Sequence, residues 1–582
     1  MLRTQSIVGD LPDQHTIEEG ALLEQRSSSD YSLLTGVVKK LDILSSRRGV
    51  SFALYSTGIA LFLALILFPP ILGILFKLDK IGPVLADESL LTRCRAALGW
   101  SFMVAFFIAT VDLLAALPMA WLIVRTKTKW TNILDTLADI PFIIPTVALG
   151  FSIREFWGPT GPFHIIAEGP LITPGFLLVL LLHFAFSYPV IVRLMVGELL
   201  GYKQTYEIAA RTLGAQPLTA VRTITLPILR PAIVAAYLLA FSRSLSETGA
   251  TIIVAGSFEN GPIMIKNALD SGLESPLVFV STLLILTSIL AFGTIGFVAP
   301  RIRLPITKVW PDIERKLSES AAIRSRNTLT LIVFLFLVLI PSVFGALPSL
   351  QSAADGTLGA ALSGVGPWGN YWQSMILSYS IGVIVTVMNA LLGIPMAIII
   401  GRKRLGKALT SVVDMLVNIP IVVPSVALGA SLGFFWRSLG FIPEFWVLVF
   451  AHMTITYTYF VRTMSAAVES VPVYYEDVAR TLGAQPFVVF RRIIAPLTKY
   501  SIFSGAIMTF TRSIDETGAA TAVARELKTA PVLLVDWIKG TVPVPETTRA
   551  LGVGFLIATS FIALLLLRLI VRRRYDRANS AA

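Results

Sequence analysis

The sequence has little charge, few histidines and almost no cysteine. Charged residues make up 14% of the 582, against 55% hydrophobic. A soluble domain carries charge on about a quarter of its residues, so this balance excludes that class. The single cysteine, Cys94, excludes an intrachain disulfide and a cysteine metal cluster. His183 and His452 lack carboxylate company, which is a poor start for a metal site, and no metal is expected. Acidic residues number 36 and basic ones 48, for a net charge of +12. In a soluble protein that excess would point to nucleic acid. In an apolar chain it belongs to basic loops beside a membrane, and no nucleic-acid partner is expected. The first 50 residues are polar and contain no short apolar run followed by a small-residue cleavage site. They read as a cytoplasmic tail rather than a signal peptide. "GRKRLGKA" (Gly401–Ala408) nearly spells a phosphate loop but has Ala408 where the magnesium-binding hydroxyl belongs, and it follows an apolar run rather than a strand. The chain is therefore expected to hold no nucleotide, to bind no cofactor and to be no enzyme.

Long apolar runs are what the sequence does have. Runs of about 20 residues cross a hydrocarbon core roughly 30 Å thick. Twelve are expected, near 51–76, 99–124, 133–153, 174–196, 232–255, 277–299, 327–347, 373–400, 411–435, 444–466, 501–523 and 550–571. The fold class is thus all-α and polytopic, lying in a lipid bilayer. "RTKTKW", "GRKRLGK", "RIRLPITK" and "RLIVRRR" all fall on one side if both termini are cytoplasmic. Segments 154–173, 256–276 and 524–549 then face outward.

The chain repeats itself. "EIAARTLGAQPLTAVRTITLP" (Glu207–Pro227) returns as "EDVARTLGAQPFVVFRRIIAP" (Glu476–Pro496), 269 residues on. "DIPFIIPTVALG" (Asp139–Gly150) returns as "NIPIVVPSVALG" (Asn418–Gly429), and His183, Tyr188 and Arg193 return as His452, Tyr457 and Arg462. Each half has an even number of spans, so the two six-helix repeats insert the same way up. The expected units are a tail at 1–50, a first repeat at 51–300 with its core at 95–300, a linker at 301–326, a second repeat at 327–573 with its core at 370–570, and a tail at 574–582.

Apolar matches can be structural only, but a solvated loop is usually free to vary, so its duplication calls for a function. In each copy a short helix carries acid at its start and arginine near its end. A glycine able to take positive φ breaks it, and a second helix ends at a proline. Such a loop forms a peg, and two pegs related by a two-fold suit a two-fold dimeric partner.

E-x-x-A-R-x-L-G-A followed by "LP" or "AP" resembles the EAA loop of type I ABC importer permeases, over both halves. The resemblance implies that Glu207, Ala210, Arg211, Gly214 and Pro227, with Glu476, Ala479, Arg480, Gly483 and Pro496, couple the chain to a homodimeric cytoplasmic ATPase. That partner would carry the ATP and Mg. The resemblance also implies an extracytoplasmic solute-binding protein and a prokaryotic plasma membrane. Val478 and Ala495 depart from the pattern mildly. Two permease domains in one chain resemble fused transporters for ferric iron, thiamine and 2-aminoethylphosphonate. "FSRSLSETGAT" (Phe241–Thr251) and "FTRSIDETGAA" (Phe510–Ala520) resemble molybdate, tungstate and sulfate permeases. The favoured solute is an oxyanion or ferric iron. The alternative is a gradient-driven transporter of six plus six helices, although neither "RTKTKW" nor "GRKRLGK" carries the Asp usual there.

Charges within the spans are costly and mark either a pathway or a packing lock. Arg243 and Glu247, and Arg512 and Glu516, are spaced to share a helix face. With Asp515, whose counterpart in the first half is Ser246, they form an asymmetric candidate collar around the path. The paired signs leave the solute's charge open. Asp112, opposite Asn389, is either a pathway acid or an interhelical hydrogen bond. Pro141 and Pro145, with Pro420 and Pro424, break spans three and nine and are either hinges or static kinks.

Overall fold

The computed structural model describes residues 43–45, 47–126, 129–159, 161–163, 170–298, 301 and 310–580. The expected N-terminal tail up to residue 42, most of "RIRLPITK" and the tip of the first outward loop lie outside the described residues.

Among the described residues all regular structure is helical. In chain order the elements used below are α1 (Tyr55–Leu75), α2 (Glu88–Arg125), α3 (Ile133–Ile143), α4 (Thr146–Trp157), α5 (Phe176–Gly201), α6 (Thr205–Thr212), α7 (Pro217–Ile228), α8 (Arg230–Ser246), α9 (Gly249–Val254), α10 (Gly261–Asp270) and α11 (Glu274–Val298). They continue as α12 (Pro311–Leu317), α13 (Ser320–Ser363), α14 (Pro367–Gly401), α15 (Lys407–Val422), α16 (Ser425–Ser438), α17 (Glu444–Ser470), α18 (Tyr474–Thr481), α19 (Pro486–Asp515), α20 (Gly518–Val523), α21 (Ala530–Lys539) and α22 (Glu546–Ser580). Eight helices are long and apolar enough to cross a membrane, and three bent pairs raise the number to 11. The twelfth expected span is α17, a continuous 27-residue helix. Its "HMTITYTYF" run makes it less apolar than the others.

Spans three and nine are folded back rather than kinked. The α3–α4 pair bends by 105° and α15–α16 by 104°. The cause is local: Ile144 and Val423 precede prolines and are extended, with ψ of 129° and 133°. The following proline ring excludes the helical region for both residues. Pro145 and Pro424 then sit at the start of α4 and α16.

The repeats are contiguous in sequence but exchange a span in space. Span one, expected to belong with the first repeat, packs on the second. Phe62 stacks on Tyr457 at 5.5 Å, and Ser431 Oγ donates to the Pro70 carbonyl. A Cβ on Gly73 would lie 1.9 Å from the Ser431 carbonyl oxygen, so only glycine permits this approach. The second repeat returns the arrangement: α13 packs on the first, with Phe344 against Phe156 at 5.3 Å. The Gly345 N–H donates to Ser152 Oγ at 3.1 Å. Ser152 and Ser431 are equivalent residues of the repeated "ALGFS" and "ALGAS".

Candidate functional site: two pegs, a cavity and a constriction

The repeated loops fold as the sequence predicts, as short helix, glycine turn and second helix. Gly214 and Gly483 have φ of +92° and +83°. The Gly214 N–H donates to the Arg211 carbonyl at 3.1 Å and the Ala215 N–H to the Ala210 carbonyl at 3.1 Å. Gly483 and Ala484 repeat both bonds to Arg480 and Ala479 at 2.9 Å. This is a Schellman cap, which uses the left-handed glycine to satisfy the last carbonyls of a helix. It turns each peg sharply and leaves one leucine at the tip: Leu213 is 89% exposed and Leu482 83%. An apolar side chain held in the open at two equivalent points is a candidate contact for a partner.

Each peg is anchored by its glutamate. Glu207 pairs with Arg125 at 2.6 Å and accepts from Thr225 Oγ at 3.4 Å. Glu476 pairs with Arg402 at 2.7 Å and with Arg480 at 3.1 Å. Arg125 ends α2 and Arg402 caps α14, so the basic loops share one side of the molecule with both pegs. Sequence reasoning assigned these arginines to topology alone. Their spacing of 277 residues, close to the repeat offset, is the signal that could have singled them out. Arg211 and Arg480 are both exposed, but among the described residues only Arg480 joins its glutamate pair. The expected stop at the proline is not what ends these helices: Pro496 lies within the continuous α19, and α7 runs past Pro227 to Ile228 before it breaks at Leu229.

Both halves line a central cavity of about 1,360 Å³. Its charged groups are Arg193, Arg243, Arg462 and Arg512 with Asp139 and Asp515. Arg193 pairs with Asp139 and, at 2.7 Å, with Asp135. Arg462 repeats the clamp on Asp414 at 2.8 Å and Asn418 at 2.7 Å. These clamps hold the bent spans against spans four and ten. Arg243 sits over the rings of Phe186 at 3.8 Å and Phe142 at 4.9 Å.

The expected shared face of Arg243 and Glu247 does not exist. α8 ends at Ser246, and Glu247 is extended with ψ of 125°. Among the described residues Arg243 has no ion pair; its Nε donates to the Phe186 carbonyl at 3.2 Å. Glu247 turns away and accepts from the Ala250 N–H at 2.8 Å, capping α9. Glu516 does the same for α20 through Ala519 at 2.9 Å, yet keeps its arginine: Arg512 pairs with Glu516 at 3.3 Å and Asp515 at 2.9 Å. Asp515 also accepts from the Thr146 N–H across the halves. Of the proposed collar, Arg243, Arg512 and Asp515 reach the cavity, while Glu247 and Glu516 are buried behind it, as is the separate candidate Asp112. Asp112 accepts from Ser187 Oγ, and Asn389 donates to Thr456 Oγ at 2.8 Å in the equivalent place. Both are interhelical hydrogen bonds.

The cavity ends where the two "ETGA" segments meet. A Cβ on Gly249 would come 2.6 Å from Thr517 Cβ, and one on Gly518 2.2 Å from Ser425 Oγ. A Cβ on Gly429 would lie 2.5 Å from the Ala519 Cα, and one on Gly150 2.9 Å from the Ala250 Cα. Gly249, and Gly518 whose added Cβ would lie 3.1 Å from Thr248 Cβ, set the approach of the two halves here, while Gly150 and Gly429 set how closely α4 meets α9 and α16 meets α20 within each half; the cavity lies between this constriction and the pegs. No group of three metal-ligating side chains occurs among the described residues. His183 is bonded to Ser244 at 2.8 Å and Thr251 at 3.0 Å, and His452 to the Ser513 carbonyl at 3.0 Å.

Known proteins are similar to this chain in sequence. A sulfate transport system permease protein, CysT, of Salmonella typhimurium is 31% identical over 222 residues, 37% of this chain and 79% of the relative. The same protein of Escherichia coli matches to the same extent. A molybdenum transport system permease protein, ModB, of Mycobacterium tuberculosis is 30% identical over 178 residues, 27% of this chain and 67% of the relative. The model of the binding-protein-dependent transport system inner membrane component matches twice, at residues 112–304 and 391–579. With both halves matched, the chain belongs to that family, as a fused, two-domain ABC importer permease.

Proposed function

We propose that this chain forms the whole transmembrane pathway of an ATP-driven importer for a small tetrahedral oxyanion. The observation that carries the coupling role is the pair of leucine-tipped pegs, each locked to a span by a partly or fully buried ion pair. A homodimeric ATPase on the cytoplasmic side would take one peg per subunit, with ATP and Mg bound there and not by this chain. A solute-binding protein would dock on the opposite face, where α10 and α21 lie. Both termini would be cytoplasmic in an inner membrane.

The mechanism follows from the connections. Each peg runs into the helix that ends at the constriction: α7 into α8, and α19 without a break. Closure of the ATPase dimer draws Leu213 and Leu482 together, tilts these helices and parts the "ETGA" junction. The solute then enters the cavity from the binding protein, and reopening of the dimer restores the junction behind it. Pro145 and Pro424 are the hinges about which α4 and α16 follow. The oxyanion assignment is supported by the named relatives and by the four guanidinium groups that line the cavity. A gradient-driven transporter would give the leucine tips no task.

The test is co-purification from the native host of the tagged chain and of the Gly214→Pro, Gly483→Pro double variant. Proline cannot adopt φ of +92° or +83° and has no N–H for the cap. An ATPase that comes with the unaltered chain and is lost from the variant supports coupling. Absence of any ATPase, even after mild crosslinking, refutes it.

A further inference from the structure

The segments that precede the exchanged spans reach the pegs. α12, just before α13, lies on the first peg. The Leu218 N–H donates to Ser318 Oγ at 3.3 Å. Glu314 pairs with Arg222 at 2.7 Å, with only 3% of the Glu314 side chain exposed, and it accepts from Thr219 Oγ. Trp310 lies beneath the Arg222 guanidinium at 5.8 Å. The second peg is met by the residues before span one: the Phe487 N–H donates to Ser45 Oγ at 3.2 Å. Leu218 and Phe487 are 269 residues apart and follow Pro217 and Pro486, which open α7 and α19. The second position of a helix has a free N–H that ordinarily takes its partner from the local N-cap. Gln216 and Gln485 stand at that cap and supply no side-chain bond. A serine from a distant segment supplies it in both halves.

We propose that the interdomain linker is part of the coupling machinery, with Glu314 as the positioning residue that holds the first peg at its working angle and Ser318 as a helix cap supplied in trans. Without Glu314 the partly exposed Arg222 guanidinium loses its carboxylate partner, which favours a peg conformation that hydrates it more fully. The peg then yields when the ATPase pulls on it, and less of that motion reaches α8. This consequence rests on the ATP-driven reading, but the clamp itself does not.

Two measurements on the full chain separate them. In detergent, without ATPase, trypsin cuts the Arg211–Thr212 bond only when the peg opens locally. Glu314→Ala should speed that cut about tenfold, the equivalent of 1.4 kcal/mol. The Arg480–Thr481 bond in the second peg should be cut at an unchanged rate. The charge-exchanged pair Arg222→Glu, Glu314→Arg should restore protection. In the complex with the co-purified ATPase, Glu314→Ala should lower ATP turnover at saturating ATP and leave the KM for ATP unchanged. Unchanged cleavage at Arg211, or no rescue by the exchanged pair, overturns the clamp. Faster cleavage with unchanged turnover overturns its role in coupling. Absence of an ATPase would sink the ATP-driven reading while the cleavage result still decides the clamp.

Discussion

Replacing Glu476 by alanine should hurt this protein more than replacing Glu207, although the sequence makes them equivalents. The difference lies in burial. Glu476 and Arg402 are 2% and 6% exposed, whereas Glu207 and Arg125 are 12% and 16% exposed. Removing one partner of a buried pair leaves an uncompensated charge and costs about 3–5 kcal/mol. A partly hydrated pair loses roughly the value of a charged hydrogen bond, about 1.5–3 kcal/mol. The midpoints of these ranges differ by about 1.8 kcal/mol, and about 1.4 kcal/mol is tenfold in an equilibrium, so the second peg should leave its docked position on the order of tenfold more often than the first. Titration of detergent-solubilised permease with its ATPase would read this as a larger loss of affinity for Glu476→Ala than for Glu207→Ala. Replacing both partners, as Arg402→Met with Glu476→Met, should recover most of the loss, because no buried charge is then left alone. Equal losses in the two halves, or a double variant no better than the single one, would refute an anchor set by burial.

Three further outcomes are expected. Gly429→Ala places a methyl group on the Ala519 backbone, which no rotamer change relieves, and should lower stability by about 1–3 kcal/mol. Gly214→Ala meets nothing within 4 Å and should cost only about 1–2 kcal/mol for its left-handed backbone, so thermal unfolding in detergent should rank the two. Arg243→Leu removes the one cavity guanidinium that has no ion pair among the described residues. It should reduce uptake of radiolabelled sulfate or molybdate about tenfold or more while ATPase co-purification persists, given that a charged hydrogen bond is worth about 1.5–3 kcal/mol. Asp112→Asn imitates the second half, where Asn389 makes the same bridge, and should change stability by less than about 1 kcal/mol and spare uptake.

The features legible in the sequence were those encoded by local chemistry. Positive φ at a loop glycine, proline breaks, apolar length and the 269-residue repeat each act within a few residues of where they are read. The exchange of spans one and seven was not legible, because an apolar span carries no mark of which half it will face. Gly73 and Gly345 make the contacts possible, but a glycine in an apolar run signals close approach without naming the partner. The break at Glu247 was misread for a related reason. Arg243 and Glu247 have helical spacing, and a helix face is the natural inference. The "ETG" step overrides it: the carboxylate finds a free N–H three residues on, and the following glycine lets the opposite half come close. Arg125 and Arg402 were assigned from the sequence only as charges of basic loops and not as anchors, since positive-inside counting explains a basic loop without asking what each arginine touches.

The two levers that join pegs to constriction are built differently, and one residue explains why. In the second half Pro486–Asp515 is a single helix of 30 residues, about 45 Å at 1.5 Å per residue. In the first half the same stretch bends by 72° between α7 and α8. Pro231 stands there, where the second half has Tyr500. It cannot donate to the Pro227 carbonyl, and its ring crowds that turn, so the chain leaves the helix at Leu229, with ψ of 0°. A continuous helix carries a displacement of Leu482 directly to Asp515, which holds Thr146 of the other half. A helix with a joint carries a displacement of Leu213 to Ser246 only as far as the joint is held. The structure holds it from outside the repeat, through the α12 contacts on Thr219 and Arg222, about two to three turns before the bend. On this reasoning the linker compensates for the weaker lever: the half with the proline joint is the half that receives the buried Glu314 clamp.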